Sequence, residues 1–410
     1  MNRKEFHIKA HYYLALIIAL TLPFARFTAI FISLLLLNWI IEGDFKNKFQ
    51  EILKNKLSLL FIAFFVLHII GLSYTENMDA GLFDLQVKLS LLVFPIVIAS
   101  RPYAPLKLRN IFVFFIIGGI LCSLFLLSIA TYTYFAFSEN NFFYQSFSFL
   151  VHPSYLSMYF NLCIAWLMLN IFRKSNGINR LTLIIYVIII LFFTFIIVLL
   201  SSKMGLIILF ALFIGFTIYL VISRRKYLVG FVGLLLIIVS VYSLFRFVPE
   251  VTSRLDSIFT AMSGTSNNQT DSESTAVRLL IWSASNQVIS ENLLLGAGTG
   301  DAKDALLVEY AKRGMTGALS HKLNTHNEYY QVFVSIGLIG FILLLMCLFL
   351  PLYNGFTSSN AIYILFLLII ILNFISESML ETQAGVIFYA FFNSLLCFNK
   401  NNDKNIYTNN

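Results

Sequence analysis

Residues 181–222 read LTLIIYVIIILFFTFIIVLLSSKMGLIILFALFIGFTIYLVI, an apolar run broken near its middle by Ser201-Ser202-Lys203-Met204-Gly205. A helix needs about 20 apolar residues to cross a bilayer, so this run is too long for one span and long enough for two. Arg180 precedes the run and Arg224 follows it. Because basic residues mark the cytoplasmic side, both ends should lie on that side. The stretch predicts two membrane helices with Lys203 at the tip between them.

The composition of the whole chain agrees with this stretch. Hydrophobic residues make up 59% of the 410 residues, charged residues 12%, and the mean hydropathy is +0.83. Soluble domains carry about twice that charged fraction, which excludes a soluble protein. The apolar runs are continuous rather than alternating, which excludes an outer-membrane barrel. The expected fold class is therefore all-α, a polytopic membrane protein.

Apolar runs of sufficient length predict about 12 transmembrane helices and one large loop. The spans are 12–24, 27–41, 57–73, 85–99, 111–137, 155–172, 181–200, 206–222, 227–247, 329–350, 362–375 and 386–398. This gives an N-terminal bundle of about nine spans (1–247), the large loop (248–325), three C-terminal spans (326–398) and a tail (399–410). Pro23 and Arg26 leave open whether 12–41 is one span or two.

The distribution of charge predicts the orientation. Of the 28 Lys and Arg residues, 18 fall in segments expected to be cytoplasmic, together with 5 acidic residues; the other face has 10 basic and 15 acidic residues. Both termini are thus expected in the cytoplasm and the large loop outside it. The net charge of +8 reflects topology, so no nucleic-acid partner is predicted. The four cysteines lie in apolar runs and imply neither a disulfide framework nor a metal site.

His326 is the strongest candidate for chemistry. Thr325 and Glu328 fit a capping box at the start of the apolar run 329–350, which places His326 in the first turn of a membrane helix. The helix dipole disfavours a charged imidazole there, so a neutral His326 can accept a proton from a hydroxyl. The alternative is an interfacial histidine in an ordinary cap.

Two cations are candidates for binding phosphate. Arg278 stands alone on an amphipathic helix predicted over 276–289, and its guanidinium fits phosphate oxygens. Lys203 occupies the tip of the apolar hairpin, where a charge needs water, lipid phosphate or a ligand. For both, the alternative is a side chain that extends along apolar surface to reach water.

Other polar residues are weaker candidates. Gly296, Gly298 and Gly300 can expose backbone N–H groups to a phosphate, although a tight turn before a helix capped by Asp301 is the more frequent use of such glycines. His152, Glu377 and Glu381 lie at other outer helix ends, where they either line the same cavity or meet solvent.

Taken in order, these motifs resemble the O-antigen ligase and O-antigen polymerase superfamily of bacterial envelope glycosyltransferases. The matching features are Ser202-Lys203 at a hairpin tip, Arg278 followed by Trp282, the Gly-x-Gly-x-Gly turn, and His326-Asn327 entering a span that contains Gly337-x-x-Gly340. The family usually has Arg where this chain has Lys203.

The resemblance implies a GT-C-like, metal-independent enzyme without a cofactor in the bacterial inner membrane, with its active site facing the periplasm. It would transfer a glycan from undecaprenyl pyrophosphate to a hydroxyl acceptor, with His326 as general base and Arg278 and Lys203 on the pyrophosphate. The expected partners are the lipid-linked donor, membrane lipids, and lipid A-core as acceptor. A polysaccharide polymerase and a protein O-oligosaccharyltransferase stay open, and a twelve-span transporter or flippase ranks lower because no internal repeat is visible.

Overall fold

A computed structural model describes residues 2–25, 27–101, 106–173, 178–225, 227–228, 233, 235 and 275–399. Within these residues the chain is helical and contains no strand. It divides into two compact units, residues 1–118 with 266–410 and residues 119–265.

Seventeen helices and three short 3-10 turns are described. The helices are α1 (Arg3–Thr21), α2 (Thr28–Glu42), α3 (Phe45–Lys54), α4 (Lys56–Gly71), α5 (Met78–Lys88), α6 (Ser90–Ala99), α7 (Leu108–Phe137), α8 (Tyr144–Phe147), α9 (Pro153–Arg173), α10 (Arg180–Leu200), α11 (Lys203–Arg224), α12 (Thr275–Glu291), α13 (Ala302–Lys312), α14 (Thr316–Ser320), α15 (Glu328–Thr357), α16 (Ala361–Ser376) and α17 (Gln383–Phe398). The 3-10 turns are Leu22–Phe24, Leu72–Tyr74 and Met379–Glu381.

The all-α membrane class is confirmed, since 8 described helices are long and apolar enough to cross a bilayer. A ninth candidate is the bent pair α2 and α3, and α16 and α17 are shorter apolar helices. Eleven of the predicted spans therefore coincide with helices. Residues 227–247 lie almost wholly outside the described part, so the count of 12 and the periplasmic position of the large loop stay predictions.

The first two predicted spans are separate helices. Pro23 lies in the 3-10 turn that ends α1, and α2 begins at Thr28. The helices pack side by side, because His7 near the start of α1 contacts Asn38 near the end of α2 at 2.8 Å, between Nδ1 and Oδ1. The end of α2, at Glu42, therefore lies at the same end of the first unit as the start of α1.

The quoted stretch 181–222 forms the predicted helical hairpin in the second unit. α10 ends at Leu200, Ser201 adopts a left-handed conformation with φ of 47°, and α11 begins at Lys203. The Ser202 hydroxyl accepts a hydrogen bond from the Gly205 N–H at 3.2 Å, which caps α11. Ser201 and Ser202 therefore form the turn that reverses the chain between α10 and α11.

The first unit has two chemically different ends. At one end, Lys56, Ala99, Asn354 and Phe398 line a common cavity, which brings together one end each of α4, α6, α15 and α17. We call this the basic end. At the other end, α4 finishes at Gly71, α15 begins and α16 finishes; we call this the site end.

The helices α12, α13 and α14 pack into a small apolar core together with Val334 of α15. Its fully buried members include Ile281, Leu306 and Tyr310. Burial raises the pKa of the Tyr310 hydroxyl above its usual range, because the ionised form would lose its water. α13 starts at Ala302 as predicted, but the Asp301 side chain makes no capping bond. It accepts instead from the N–H groups of Glu76 and Asn77, both at 2.7 Å.

Candidate functional site

His326 lies immediately before α15 rather than in its first turn. The predicted capping box is wrong, because the cap of α15 is Asn327, whose Oδ1 accepts from the Tyr330 N–H at 3.2 Å. Glu328 is fully buried, and its Oε2 accepts from the Leu380 N–H at 2.8 Å. His326 has a φ of +46°, a backbone conformation that residues other than glycine rarely adopt. The turn thus holds the imidazole out of the helix.

Glu377 joins two of the predicted functional residues. Its Oε1 lies 3.4 Å from Nη2 of Arg278, and its Oε2 lies 3.9 Å from Nδ1 of His326. These residues come from the start of α12, the turn before α15 and the end of α16. The structure therefore brings Arg278, His326 and Glu377 together from three parts of the sequence.

The segment Ser376–Ser378 organises this cluster. The Ser376 carbonyl accepts a hydrogen bond from Arg278 Nη1 at 2.8 Å. The Ser378 hydroxyl lies 3.0 Å from the Thr325 hydroxyl and accepts from the Asn327 N–H at 3.1 Å. Three successive residues thus fix the guanidinium, the carboxylate and the turn that carries His326.

Asn327 has a structural role in the same turn. Besides capping α15, it donates from Nδ2 to the Ile375 carbonyl at 3.1 Å. Both polar atoms of its amide are therefore engaged by the protein, which ties the start of α15 to the end of α16.

Trp282 and Tyr330 form a wall beside the site. Their rings stack with centroids 5.8 Å apart and planes inclined by 11°. Trp282 also donates from Nε1 to the Thr325 carbonyl at 3.0 Å. Because Trp282 lies one turn beyond Arg278 on α12, this contact fixes the helix that carries Arg278 against the His326 turn.

The cluster is accessible from outside the protein. The side chains of Arg278 and His326 are each 26% exposed, whereas that of Glu377 is 9% exposed. An anionic ligand can therefore reach the guanidinium and a hydroxyl can reach the imidazole, while the carboxylate stays behind them. A buried carboxylate beside an imidazole stabilises the positive charge that the ring acquires when it takes a proton.

The glycine-rich turn is engaged in packing. The N–H groups of residues 296–301 all donate to protein acceptors, including Ala297 to the Val334 carbonyl at 2.8 Å and Gly298 to the Ser335 carbonyl at 3.0 Å. These bonds meet a break in α15, where Gly337 has a φ of 65°. A side chain at Gly296 would approach the Gly337 nitrogen to 2.5 Å. Of the two readings of this turn, the geometry supports tight packing rather than a phosphate cradle.

Glu381 belongs to a neighbouring ion cluster rather than to the Arg278 group. Its Oε1 lies 2.8 Å from Nζ of Lys88, which also pairs with Asp84 and is only 2% exposed. Sequence reasoning missed Lys88 and Ser378. A single lysine in an apolar run is an available signal for a buried ion pair, whereas a serine beside Glu377 gives none.

Lys203 and His152 lie in the second unit, and their local surroundings are described there. Lys203 is the first residue of α11, next to the capping Ser202. His152 precedes α9, and its ring contacts those of Tyr144 and Tyr155 at centroid distances of 6.1 and 5.8 Å. Their part in the site stays a prediction.

Comparison with known proteins supports the family resemblance seen in the sequence. Residues 188–345 match a family model described as O-Antigen ligase. The match begins within α10 and ends within α15, so it includes Lys203, Arg278, the glycine-rich turn and His326. No curated protein matches the chain significantly. Residues 188–345, less than half of the chain, are thus similar to the O-antigen ligase family, and this similarity points to a membrane enzyme of glycosyltransferase or ligase type.

Proposed function

We propose that the chain transfers a glycan from undecaprenyl pyrophosphate to a hydroxyl acceptor, lipid A-core, at the periplasmic face of the inner membrane. The observation that carries this proposal is the convergence of Arg278 and His326 on Glu377. A base and a phosphate-binding cation at one exposed site are what transfer from a pyrophosphate to a hydroxyl requires.

In the proposed reaction, His326 takes the proton of the acceptor hydroxyl. The acceptor oxygen forms a bond to the anomeric carbon of the donor sugar, and the bond from that carbon to the pyrophosphate oxygen breaks. Undecaprenyl pyrophosphate leaves with its additional negative charge, which Arg278 stabilises. Lys203, at the tip of the α10–α11 hairpin, is proposed as the second cation on the pyrophosphate.

Glu377 has two proposed effects on this chemistry. Its carboxylate orients the imidazole and stabilises the imidazolium that forms when His326 takes the proton. It also holds one edge of the Arg278 guanidinium, so that the remaining N–H groups point toward the ligand. Glu377 is therefore a positioning residue, and it keeps the base and the cation at a fixed separation.

The decisive experiment measures glycan transfer in liposomes that already contain the lipid-linked donor. His326→Ala should abolish most of the transfer, since general-base catalysis contributes about 10²- to 10⁴-fold. His321→Ala is the matched control, because His321 is an exposed histidine in the segment 313–327 that precedes α15. Transfer that persists in His326→Ala at the rate of the control would overturn the assignment.

The acceptor is tested separately in a strain that lacks the protein. Loss of all long chains from lipid A on a lipopolysaccharide gel supports the ligase. Retention of chains with a single repeat supports a polymerase, and an unchanged gel with missing glycoproteins supports transfer to protein. The family match covers both ligase-type and polymerase-type enzymes, so this gel decides between them.

A further inference from the structure

The helix α3, at the basic end of the first unit, has a surface that the proposed reaction does not use. α3 turns by 115° from α2 at a break of two residues. Since α2 is apolar like a membrane span, a helix inclined to it by 115° lies closer to the plane of a membrane than to the direction of the span. The orientation is that of an interfacial helix rather than a continued span.

Buried ion pairs hold this bend in place. Nζ of Lys48 lies 2.7 Å from Oε2 of Glu42 and donates to the Trp39 carbonyl at 2.6 Å. Arg101 also pairs with Glu42, and the side chains of Lys48 and Arg101 are fully buried. Lys48 lies on α3 and Glu42 on α2, so straightening the pair would separate buried charges. The bend is therefore a fixed feature of the fold.

One face of α3 is apolar and exposed. Phe45, Phe49 and Leu53 recur every fourth residue and are 43%, 52% and 64% exposed. Residues four apart on a helix lie above one another, so the three side chains form a single stripe. Lys48 and Ile52, which are buried, attach the adjoining face to the bundle. Phe45 also contacts the Trp39 ring at a centroid distance of 5.5 Å, but much of the stripe is exposed and needs an apolar environment.

Basic residues border this stripe. Lys46 and Lys54 on α3 and Lys56 at the start of α4 are exposed. Lys54 and Lys56 also line the cavity of about 320 Å³ shared by the ends of α4, α6, α15 and α17. Among the residues that line this cavity, Glu51 is the single acid, and it pairs with Lys54 at 2.6 Å. The border therefore has an excess of positive charge next to an apolar stripe.

We propose that α3 and the adjacent cavity bind anionic phospholipid in the leaflet at the basic end. The acyl chains lie against Phe45, Phe49 and Leu53, and the headgroup phosphate lies among Lys46, Lys54 and Lys56. A lipid can bind both features of this surface at once, because its charged headgroup is joined to apolar acyl chains just as the lysines lie next to the apolar stripe. Free phosphate would satisfy the lysines alone.

The test uses the full chain purified in mixed micelles with equal amounts of phosphatidylglycerol and phosphatidylcholine, and native mass spectrometry to count bound lipids. The wild-type chain should retain phosphatidylglycerol preferentially. Each basic residue near an anionic surface strengthens binding about fivefold. The triple variant K46Q/K54Q/K56Q should therefore lose at least about fivefold of this preference, whereas K46R/K54R/K56R should keep it.

The matched control, called the outer variant, is K303Q/K312Q/K322Q, which removes the same charge from exposed lysines between the start of α13 and α15. It should leave the lipid ratio unchanged. The proposal is overturned if the glutamine variant at α3 keeps the wild-type ratio, or if the outer variant lowers the ratio equally.

A second measurement needs no variant. Amide hydrogen exchange over residues 45–54 should be slower in phosphatidylglycerol nanodiscs than in phosphatidylcholine nanodiscs. Addition of inorganic phosphate should not reproduce the slower exchange. Equal exchange in the two lipids, or full protection by phosphate alone, would contradict binding of the lipid.

Discussion

The two ends of the first unit both contain a carboxylate between two basic groups, yet the geometries differ. At the basic end, Glu42 pairs with Lys48 at 2.7 Å and with Arg101, and the three side chains are 0–8% exposed. At the site end, Glu377 lies 3.4 Å from Arg278 and 3.9 Å from His326, and both partners are 26% exposed. A closed, buried cluster stabilises the fold, whereas an open one leaves its cations and imidazole available for a ligand.

The largest expected effect is on transfer at the open cluster. Arg278→Ala and His326→Ala should each lower transfer by about 10²- to 10⁴-fold, because each removes a group that acts as charge develops. The midpoint of thermal unfolding should change little, since both side chains are partly exposed. The assay is initial transfer rate in donor-loaded liposomes alongside a thermal melt. A large fall in the midpoint would show that the open cluster is structural.

The closed cluster should behave in the opposite way. Glu42→Gln leaves Lys48 and Arg101 buried without their carboxylate, which should cost about 3–5 kcal/mol of stability. Thermal unfolding and the yield of folded protein in detergent measure this loss. Glu51→Gln is the control, because its pair with Lys54 is at the surface and should contribute at most about 1 kcal/mol. Equal stabilities of the two variants would contradict the difference drawn between the ends.

Glu377 should show an intermediate effect. Glu377→Gln keeps the size of the side chain and can still accept from Arg278, but it removes the charge that stabilises the imidazolium. Loss of the residue that orients a metal-bound histidine costs about 10- to 100-fold in activity, and we expect a fall of about that size here. The fall should appear in kcat more than in KM, and Glu377→Asp should restore part of it. Glu381→Gln, at the Lys88 pair, is the matched comparison and should leave kcat near its original value.

The break in α15 at Gly337 gives an effect on stability alone. At Gly337 a Cβ atom would come within 2.3 Å of the Leu294 carbonyl oxygen. Gly337→Ala should therefore lower stability by more than the roughly 1–3 kcal/mol of a strained backbone conformation alone. Gly43 has a similar φ of +73° and no atom within 4 Å of such a Cβ. Gly43→Ala should therefore show only the cost of the positive φ. The additional loss of stability in Gly337→Ala, measured in the same thermal melts, is the cost of the steric clash.

The smallest expected effect concerns the wall beside the site. Trp282→Phe keeps an aromatic ring against Tyr330 but removes the hydrogen bond from Nε1 to the Thr325 carbonyl. A single hydrogen bond of this kind contributes about 0.5–1.5 kcal/mol. Trp282→Ala should cost more because it also removes the stacked ring. The two thermal midpoints, read together, separate the bond from the stacking.

Sequence reasoning predicted most of the helices because membrane spans are long apolar runs. The hairpin at Ser201–Lys203 and the helices from Thr275 and Ala302 lie close to where the pattern placed them. The bend between α2 and α3 was not predicted. It depends on Lys48 reaching Glu42, a contact between side chains that helix periodicity does not report.

The candidate site was predicted in part. Arg278 and His326 do meet, through Glu377, which the sequence marked as one of several weaker candidates. The capping box at Thr325 and Glu328 failed because Asn327 is also a good cap and Glu328 finds a partner at Leu380, 52 residues away. A local motif of four residues cannot show such a competing partner.

The break in α15 has a consequence for how the protein folds. The N–H groups of Ala297, Gly298 and Leu338 bond across the gap between residues 293–298 and the broken helix. Until residues 293–298 pack against the break, the carbonyl oxygens of Val334 and Ser335 and the N–H group of Leu338 lack these partners. The break and the glycine-rich turn therefore have to form together, because each satisfies backbone groups that the other leaves unpaired.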